Sequence, residues 1–205
     1  CNLRCHYCYA KARLPAAGDL MPIELAKKLI REMVCQAGAT HIEFIWHGGE
    51  PLLRGVSFYQ QIFAYQREIT PASVEVRHAL QTNITLISEE WLSFLKEWNI
   101  QISTSLDGPE WIHNANRLDR NGCGTYFQVR TKIEKALKMG VQVNTISVVT
   151  NASSEYAAEI YSHLSELGIK NASFLPCYVL DERLKPIPPT ITPGNFGEFL
   201  CRLFN

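Results

Sequence analysis

The sequence has no surplus of either charge: 20 Lys and Arg face 20 Asp and Glu, and the pI is near 7.1. That balance excludes a non-specific nucleic-acid binder and a polybasic membrane binder, both of which need an excess of cations. No apolar run approaches the ~18–20 residues that cross a bilayer, and no segment has the order of a signal peptide. Low-complexity stretches are missing, and 46% hydrophobic against 20% charged residues excludes wholesale disorder. What is left is a neutral globular chain of 205 residues, enough for one domain with a real core. The chain opens on Cys1 and reaches Asn205 inside an amphipathic pattern, so both ends read as cut and a fragment is expected.

The cysteines lack a pairing pattern as well. There are seven, an odd number, and four of them (Cys35, Cys123, Cys177 and Cys201) stand alone. These four are expected as buried small hydrophobes, with Cys177 the one that should lie at the active edge. A secreted disulfide scaffold would be shorter and denser in cysteine, so a reduced, cytoplasmic setting fits better. The other three, Cys1, Cys5 and Cys8, crowd into Cys-Asn-Leu-Arg-Cys-His-Tyr-Cys. A structural zinc site wants four ligands, usually as two separated pairs; here no second pair follows, and His6 is poorly placed to be a fourth ligand. Iron–sulfur clusters are also held by closely spaced thiolates. Three thiolates can hold three irons of a cubane and leave the fourth open for chemistry, with zinc or accidental clustering as the alternative.

Elsewhere short β-rich runs alternate with amphipathic stretches. Strands are predicted at 42–46, 74–82, 100–106, 142–150 and 172–178, each bounded by glycine, proline or polar turn residues. Helices are predicted at 21–36, with Leu25, Leu29 and Met33 on one stripe and Ile30 and Val34 beside it, and at 89–98 behind a Ser88 cap. Thr125 and Gln128 form a capping-box pattern before a third helix, and Ser153 or Ser154 precedes a fourth. Asn99, Gly140 and Gly168 each close a helix just before an apolar strand. Such βαβ units imply a parallel sheet, which the pattern leaves open as a barrel or a doubly wound sheet. Gly48–Pro51, Asn83, Ser105–Asp107 and Cys177 all fall at or just past strand C-termini, the edge where sites form in either architecture.

At these residues the chain resembles a known family. Cys1-x3-Cys5-x-Tyr7-Cys8 is similar to the cluster loop of the radical S-adenosylmethionine (radical SAM) enzymes, and Trp46-His47-Gly48-Gly49-Glu50-Pro51 to their glycine-rich segment. Gln81-Thr82-Asn83, Ser105-Leu106-Asp107-Gly108-Pro109 and His113…Arg117…Gly122-Cys123-Gly124-Thr125 resemble the branch that modifies peptides and proteins, including anaerobic sulfatase-maturating enzymes and peptide maturases. The likeness runs from residue 1 to about residue 180. It implies an α/β fold, a partial (β/α)6 TIM-like barrel lacking its first strand, with the core barrel at 1–180 and a proline-rich loop and truncated helix at 181–205. A first strand would lie before Cys1, and its lack leaves the second with a bare edge.

The resemblance also assigns residues. Cys1, Cys5 and Cys8 would ligate a [4Fe-4S] cluster whose open iron takes the amino and carboxylate groups of S-adenosylmethionine (SAM). Tyr7 would pack by the adenine, where the plainer reading is a core aromatic. Gly48 and Gly49 suit close backbone approach, and Glu50 would meet the methionyl amine through its side chain or only its carbonyl; Trp46 and His47 read as structural. Ser105 and Arg117 would hold the SAM carboxylate and ribose, against a turn cap and a surface salt bridge. Asn83 would bond the ribose or simply end a strand, and Ile84 stands where the family often has glycine. Leu175 would lend backbone to adenine, its side chain reading as core. Asp107-Gly108-Pro109 reads equally as a turn with Pro109 at the first helical position.

By the same resemblance, an electron reduces SAM to methionine and a 5′-deoxyadenosyl radical, which abstracts hydrogen from a peptide or protein substrate to give formylglycine or a cross-link. The electron donor would be a flavodoxin or ferredoxin; neither nucleic acid nor membrane is a partner. Further clusters usually follow this region in the family, so the span is expected to bind its cofactors without turning over peptide. The rival reading is a cluster- or zinc-bearing redox or binding module without radical chemistry.

Overall fold

Five short strands form the centre of the computed structural model, which describes residues 1–9, 20–36 and 38–204. They are β1 (His41–Trp46), β2 (Glu75–Thr82), β3 (Gln101–Ser105), β4 (Val143–Val149) and β5 (Ala172–Pro176), all parallel and ordered as in the sequence. A doubly wound sheet reverses its strand order at a switch point. This one does not, so right-handed crossovers lay the helices along one face and curl the sheet into a half-barrel. Each predicted strand is present, its ends shifted by at most two residues.

The helices are α1 (Ile23–Val34), α2 (Val56–Ile69), α3 (Glu89–Glu97), α4 (Glu110–Asn114), α5 (Tyr126–Lys138), α6 (Ala157–Glu166) and α7 (Pro193–Leu203). Three of them close on the residues expected. Asn99, Gly140 and Gly168 have φ of 49°, 78° and 79°. The amides of Ile100, Val141 and Ile169 reach back to Leu95, Ala136 and Leu164, the paired-bond stop that satisfies terminal carbonyls and turns the chain into the next strand. The Ser88 hydroxyl caps α3 by accepting from the Trp91 amide.

Strand alternation divides the sheet into two faces. Leu80, Ile102 and Val143 stand side by side in register and are buried under the helices; each contributes roughly 1.5–3 kcal/mol by leaving water. On the opposite, open face Gln81, Ser103 and Asn144 form one row, and Ser105, Ile146 and Ser173 the next. The helix side of β1 holds an aromatic cluster in which the His78 ring lies 3.9 Å from Phe63 and accepts from Trp46 Nε1. Burial lowers the His78 pKa to about 4, so the ring is neutral there. Phe199 of α7 packs against Phe174 of β5 in the same core.

Several local expectations are overturned. In α1 the buried stripe is Ala26, Ile30 and Val34, while Leu25, Leu29 and Met33 are 44–45% exposed. The Thr125–Gln128 capping box does not form: the Thr125 hydroxyl donates to the Arg117 carbonyl, Gln128 donates to Thr85 O, and Asn114 Oδ1 caps the Tyr126 amide instead. Neither Ser153 nor Ser154 caps α6, because both bond back into the turn at Thr150 and Asn151. Pro109 is the N-cap of α4 rather than its first residue. Helix α2 and the 3-10 turn Pro51–Arg54 carried no sequence expectation. Of the four solitary cysteines only Cys177 is buried; Cys35, Cys123 and Cys201 are exposed. The helix expected near the end of the chain is present as α7, and Asn205 itself lies outside the described residues.

Candidate functional site

The three crowded cysteines lie on a segment that is pinned to the C-terminal edge of the sheet. Leu3 pairs with Asp119 as an antiparallel bridge, Arg4 N donates to Leu118 O at 2.8 Å, and His6 N donates to Asn116 O at 2.9 Å. Arg120 holds the Cys1 carbonyl, and Asn2 donates to the Thr85 hydroxyl. All three thiols are free and half-buried. Burial raises the Cys5 thiol above its ordinary range, while the Arg117 cation pulls it down. At the far end of the segment Tyr9 Oη lies 2.9 Å from His47 Nε2, so the cysteine loop reaches the Gly-Gly turn. His47 is exposed, and its ring is paired with Tyr9.

Gly48 and Gly49 have φ of 100° and 62°, torsions a side chain resists, and a Cβ at Gly48 would meet only open space. The turn thus offers bare backbone at the rim. Glu50 next to it points the other way. Its buried carboxylate accepts from Leu52 N, Thr82 Oγ1 and Asn83 N at 3.0, 2.6 and 2.7 Å. Burial raises its pKa and these three bonds lower it, with burial the larger. The side chain is therefore committed to tying the turn after β1 to the turn after β2.

Asn83 carries the tie onward. Its Nδ2 donates to Asn2 Oδ1 at 2.9 Å and approaches Cys1 Sγ at 3.7 Å, and its Oδ1 accepts from the Thr85 amide and hydroxyl. Ile84 follows with φ of 60°. The position where the family often has glycine keeps a left-handed backbone here, forced on a fully buried β-branched residue.

Asp107 is the residue that sequence reasoning missed. It is 2% exposed and accepts from the Tyr7 hydroxyl, from Arg117 Nε and Nη2 at 3.0 Å each, and from Val148 N at 2.9 Å. Arg117, at 6% exposure, is no surface salt bridge, and the carboxylate filling its fork belongs to the chain itself. Burial alone would lower the Arg117 pKa, but Asp107 and Tyr7 outweigh it and keep the guanidinium charged. Tyr7 is buried with its ring 5.4 Å from that guanidinium, and burial holds its phenol well above the ordinary range. The signal was present in Ser-Leu-Asp-Gly-Pro, yet nothing local shows that its partners lie at 7, 117 and 148.

Ser105 ends β3 on the open face beside Ile146. Leu175 lies on that face beside Val148 and is 47% exposed, so its side chain is not core. Cys177 is buried just past β5, its thiol pushed to about 11 by burial and then by the Asp107 charge, and its amide and carbonyl serve Val149 and Ile191. It is a packed residue at the active edge.

The donor set fits an iron–sulfur cluster. Three free thiols sit on one clamped loop, with an amide N–H turned to one sulfur and a guanidinium charge near another. Among the described residues no three His, Cys, Asp or Glu side chains converge on a point that could hold a single ion. Three thiolates on one loop match the closely spaced donors of an iron–sulfur cluster better than the two separated pairs of a structural zinc site.

The model of the Radical SAM superfamily matches residues 1–177. The Cysteine-type anaerobic sulfatase-maturating enzyme of Clostridium perfringens (strain 13 / Type A) is 31% identical over all of this chain and 56% of its own length. The Serine-type anaerobic sulfatase-maturating enzyme of Klebsiella aerogenes is 36% identical over all of this chain and 50% of its own. The chain thus spans about half the length of these curated relatives. The structure of native anSMEcpe with bound AdoMet superposes on the whole chain with a TM-score of 0.89 at 30% identity, covering 57% of that protein. Streptococcus suis SuiB bound to the precursor peptide SuiA has a TM-score of 0.72 at 16% identity, over all of this chain and 43% of SuiB, a likeness of fold. No helix among the described residues is long and apolar enough to cross a membrane.

Proposed function

The chain belongs to the radical SAM superfamily, and from that premise we propose that it binds a [4Fe-4S] cluster through Cys1, Cys5 and Cys8 and modifies a residue of a peptide or protein. The cluster and SAM, the family's cofactors, would supply one electron and a hydrogen-abstracting radical when bound. The protein's part is placement, charge and exclusion of water. Gly48 offers unencumbered backbone to the methionyl end beside the left-handed Gly49, and Glu50 serves with its main chain, since its carboxylate is engaged by three donors. Ser105 faces the same space from β3, and Asn83 holds the Cys1 side of the loop. Arg117 supplies positive charge beside Cys5, Tyr7 lines the adenine side, and Leu175 contributes main chain there.

The observation that carries this reading is the meeting of the three-cysteine loop with the Gly-Gly turn, closed by Tyr9 on His47 and by Asn83 on Cys1 and Asn2. The chemistry is oxidation of Cys or Ser to formylglycine, as in sulfatase maturation, or a cross-link within a peptide. The protein works in the reduced cytoplasm with a flavodoxin or ferredoxin as electron donor. The test is anaerobic loading with iron and sulfide, addition of SAM and a reductant, and mass analysis of peptides bearing Cys or Ser in sulfatase-type sequence. Formation of 5′-deoxyadenosine supports the radical chemistry in this span, and a modified peptide from the longer protein that carries the span supports the substrate class. A colourless protein holding one zinc refutes it.

A further inference from the structure

Asp107 is built into the scaffold from every side. Its amino neighbour Leu106 ends in a carbonyl that accepts the Ser147 hydroxyl at 2.5 Å, and its own Oδ1 takes the Val148 amide. Gly108 behind it has φ of 135°, and a Cβ there would lie 2.9 Å from Ile160 Cγ1 of α6. The turn that presents the carboxylate is therefore fixed by β4 and α6 together. Arg117 is held from behind in the same manner: its carbonyl accepts the Thr125 hydroxyl at 2.9 Å, and that hydroxyl lies 3.0 Å from His113 Nε2. Two of the five guanidinium N–H groups go to Asp107. A bidentate pair at such low exposure is geometrically specific, and removing one partner leaves the other charge buried alone.

The remaining acceptor position of Asp107 is taken by the phenol of Tyr7, which sits between Cys5 and Cys8. A rigid carboxylate thus grips the side chain of Tyr7, one of the two residues (His6 and Tyr7) whose backbone separates those thiols. We propose that Asp107 is the positioning residue of the cysteine loop, and that Arg117 acts on that loop through Asp107 and through its charge rather than by clamping the SAM carboxylate with its fork. The proposal deepens the cofactor reading above and rests on it for the potential and SAM arms alone. The loop arm concerns the apo protein and stands apart from it.

The experiment compares Tyr7→Phe, Asp107→Asn, Arg117→Lys and the pairs Y7F/D107N and D107N/R117K. In the apo protein, alkylation of Cys5 and Cys8 is followed by peptide mass mapping, with Cys35 as the exposed internal control. Both Y7F and D107N should speed alkylation of Cys5 and Cys8 about tenfold relative to Cys35, one hydrogen bond's worth of loop restraint. The double variant should be no faster than D107N. In the reconstituted protein an anaerobic redox titration followed by EPR should show the D107N potential shifted positive, since the Arg117 charge is no longer offset, and the Y7F potential unmoved. SAM affinity, read from the SAM-induced EPR change, should fall less on adding R117K to D107N than on adding it to the unsubstituted protein.

Unchanged alkylation in both Y7F and D107N overturns the positioning role, and additive losses of SAM affinity overturn the indirect role of Arg117. If D107N does not fold, Y7F alone decides the positioning role, because it removes one oxygen and leaves the buried ion pair in place. Absence of any cluster signal with faster alkylation in Y7F would refute the cofactor reading while upholding the loop restraint.

Discussion

The amide of Asn83 donates to a carboxylate oxygen of Glu50 at 2.7 Å across 33 residues of sequence. This one bond joins the turns after β1 and β2, and the Asn83 side chain extends the tie to Asn2 and Cys1. The rim of the half-barrel and the cysteine loop are thereby one hydrogen-bonded unit. Glu50→Ala would strand three donors, those of Leu52, Thr82 and Asn83. We expect a loss of roughly 2–4 kcal/mol in urea unfolding of the apo protein, since each buried unsatisfied group costs about 1–3. Glu50→Gln should lose less than half as much. Equal stability of E50A and the unsubstituted protein would show that water replaces the carboxylate.

Ile84 holds φ of 60° while fully buried. The left-handed backbone costs about 1–2 kcal/mol for a side-chain-bearing residue, but an emptied Ile site costs about 2–5. Ile84→Gly should therefore destabilise by a net ~1–3 kcal/mol in spite of its easier torsion. A more stable I84G would mean that strain, and not packing, dominates at this turn.

Gly108→Ala should destabilise by about 2 kcal/mol or more, because its φ of 135° and a 2.9 Å approach to Ile160 Cγ1 both oppose a Cβ. Shortening the obstacle with Ile160→Ala in the same chain should recover part of the loss relative to the sum of the single changes. Strict additivity of the two in thermal unfolding would place the clash elsewhere.

His78 and His113 are both buried with pKa values lowered from 6.5 to about 4 by burial, His113 with smaller opposing pushes from Asp107 and Arg117. The fold keeps them neutral while the unfolded chain takes up protons, so their contribution is fully present above about 6.5 and is lost as pH falls toward 4. The loss is at most about 3 kcal/mol per ring. Glu50, whose carboxyl is raised by burial, works in the opposite sense as it protonates. Stability of the apo protein should therefore fall between pH 7.5 and pH 5. His78→Phe keeps the stack on Phe63 and should remove about half of that slope; an unaltered slope would assign it to other groups.

Where a residue's partners were local, the sequence was readable. The left-handed stops at Asn99, Gly140 and Gly168, the Ser88 cap and the five strands each depend on neighbours within a turn or on simple alternation. The failures come from long-range competition. Thr125 has the right spacing for a capping box, but its hydroxyl is drawn to the Arg117 carbonyl and Asn114 takes over the cap. Leu25, Leu29 and Met33 repeat as well as Ala26, Ile30 and Val34 do, and periodicity cannot say which of two adjacent apolar stripes faces the sheet. The cysteine loop and the glycine turn were legible as motifs. Asp107 was not, because an aspartate before Gly-Pro looks like a turn until Tyr7, Arg117 and Val148 are brought to it.

The measurement that bears most directly on the site is EPR of the anaerobically reconstituted, reduced protein with and without SAM, for the unsubstituted chain and for Cys1→Ala, Cys5→Ala and Cys8→Ala. The site as described gives a reduced [4Fe-4S] signal whose shape changes when SAM is added, and loses it in each variant. A signal indifferent to SAM, or one that survives removal of any of the three thiols, would contradict it.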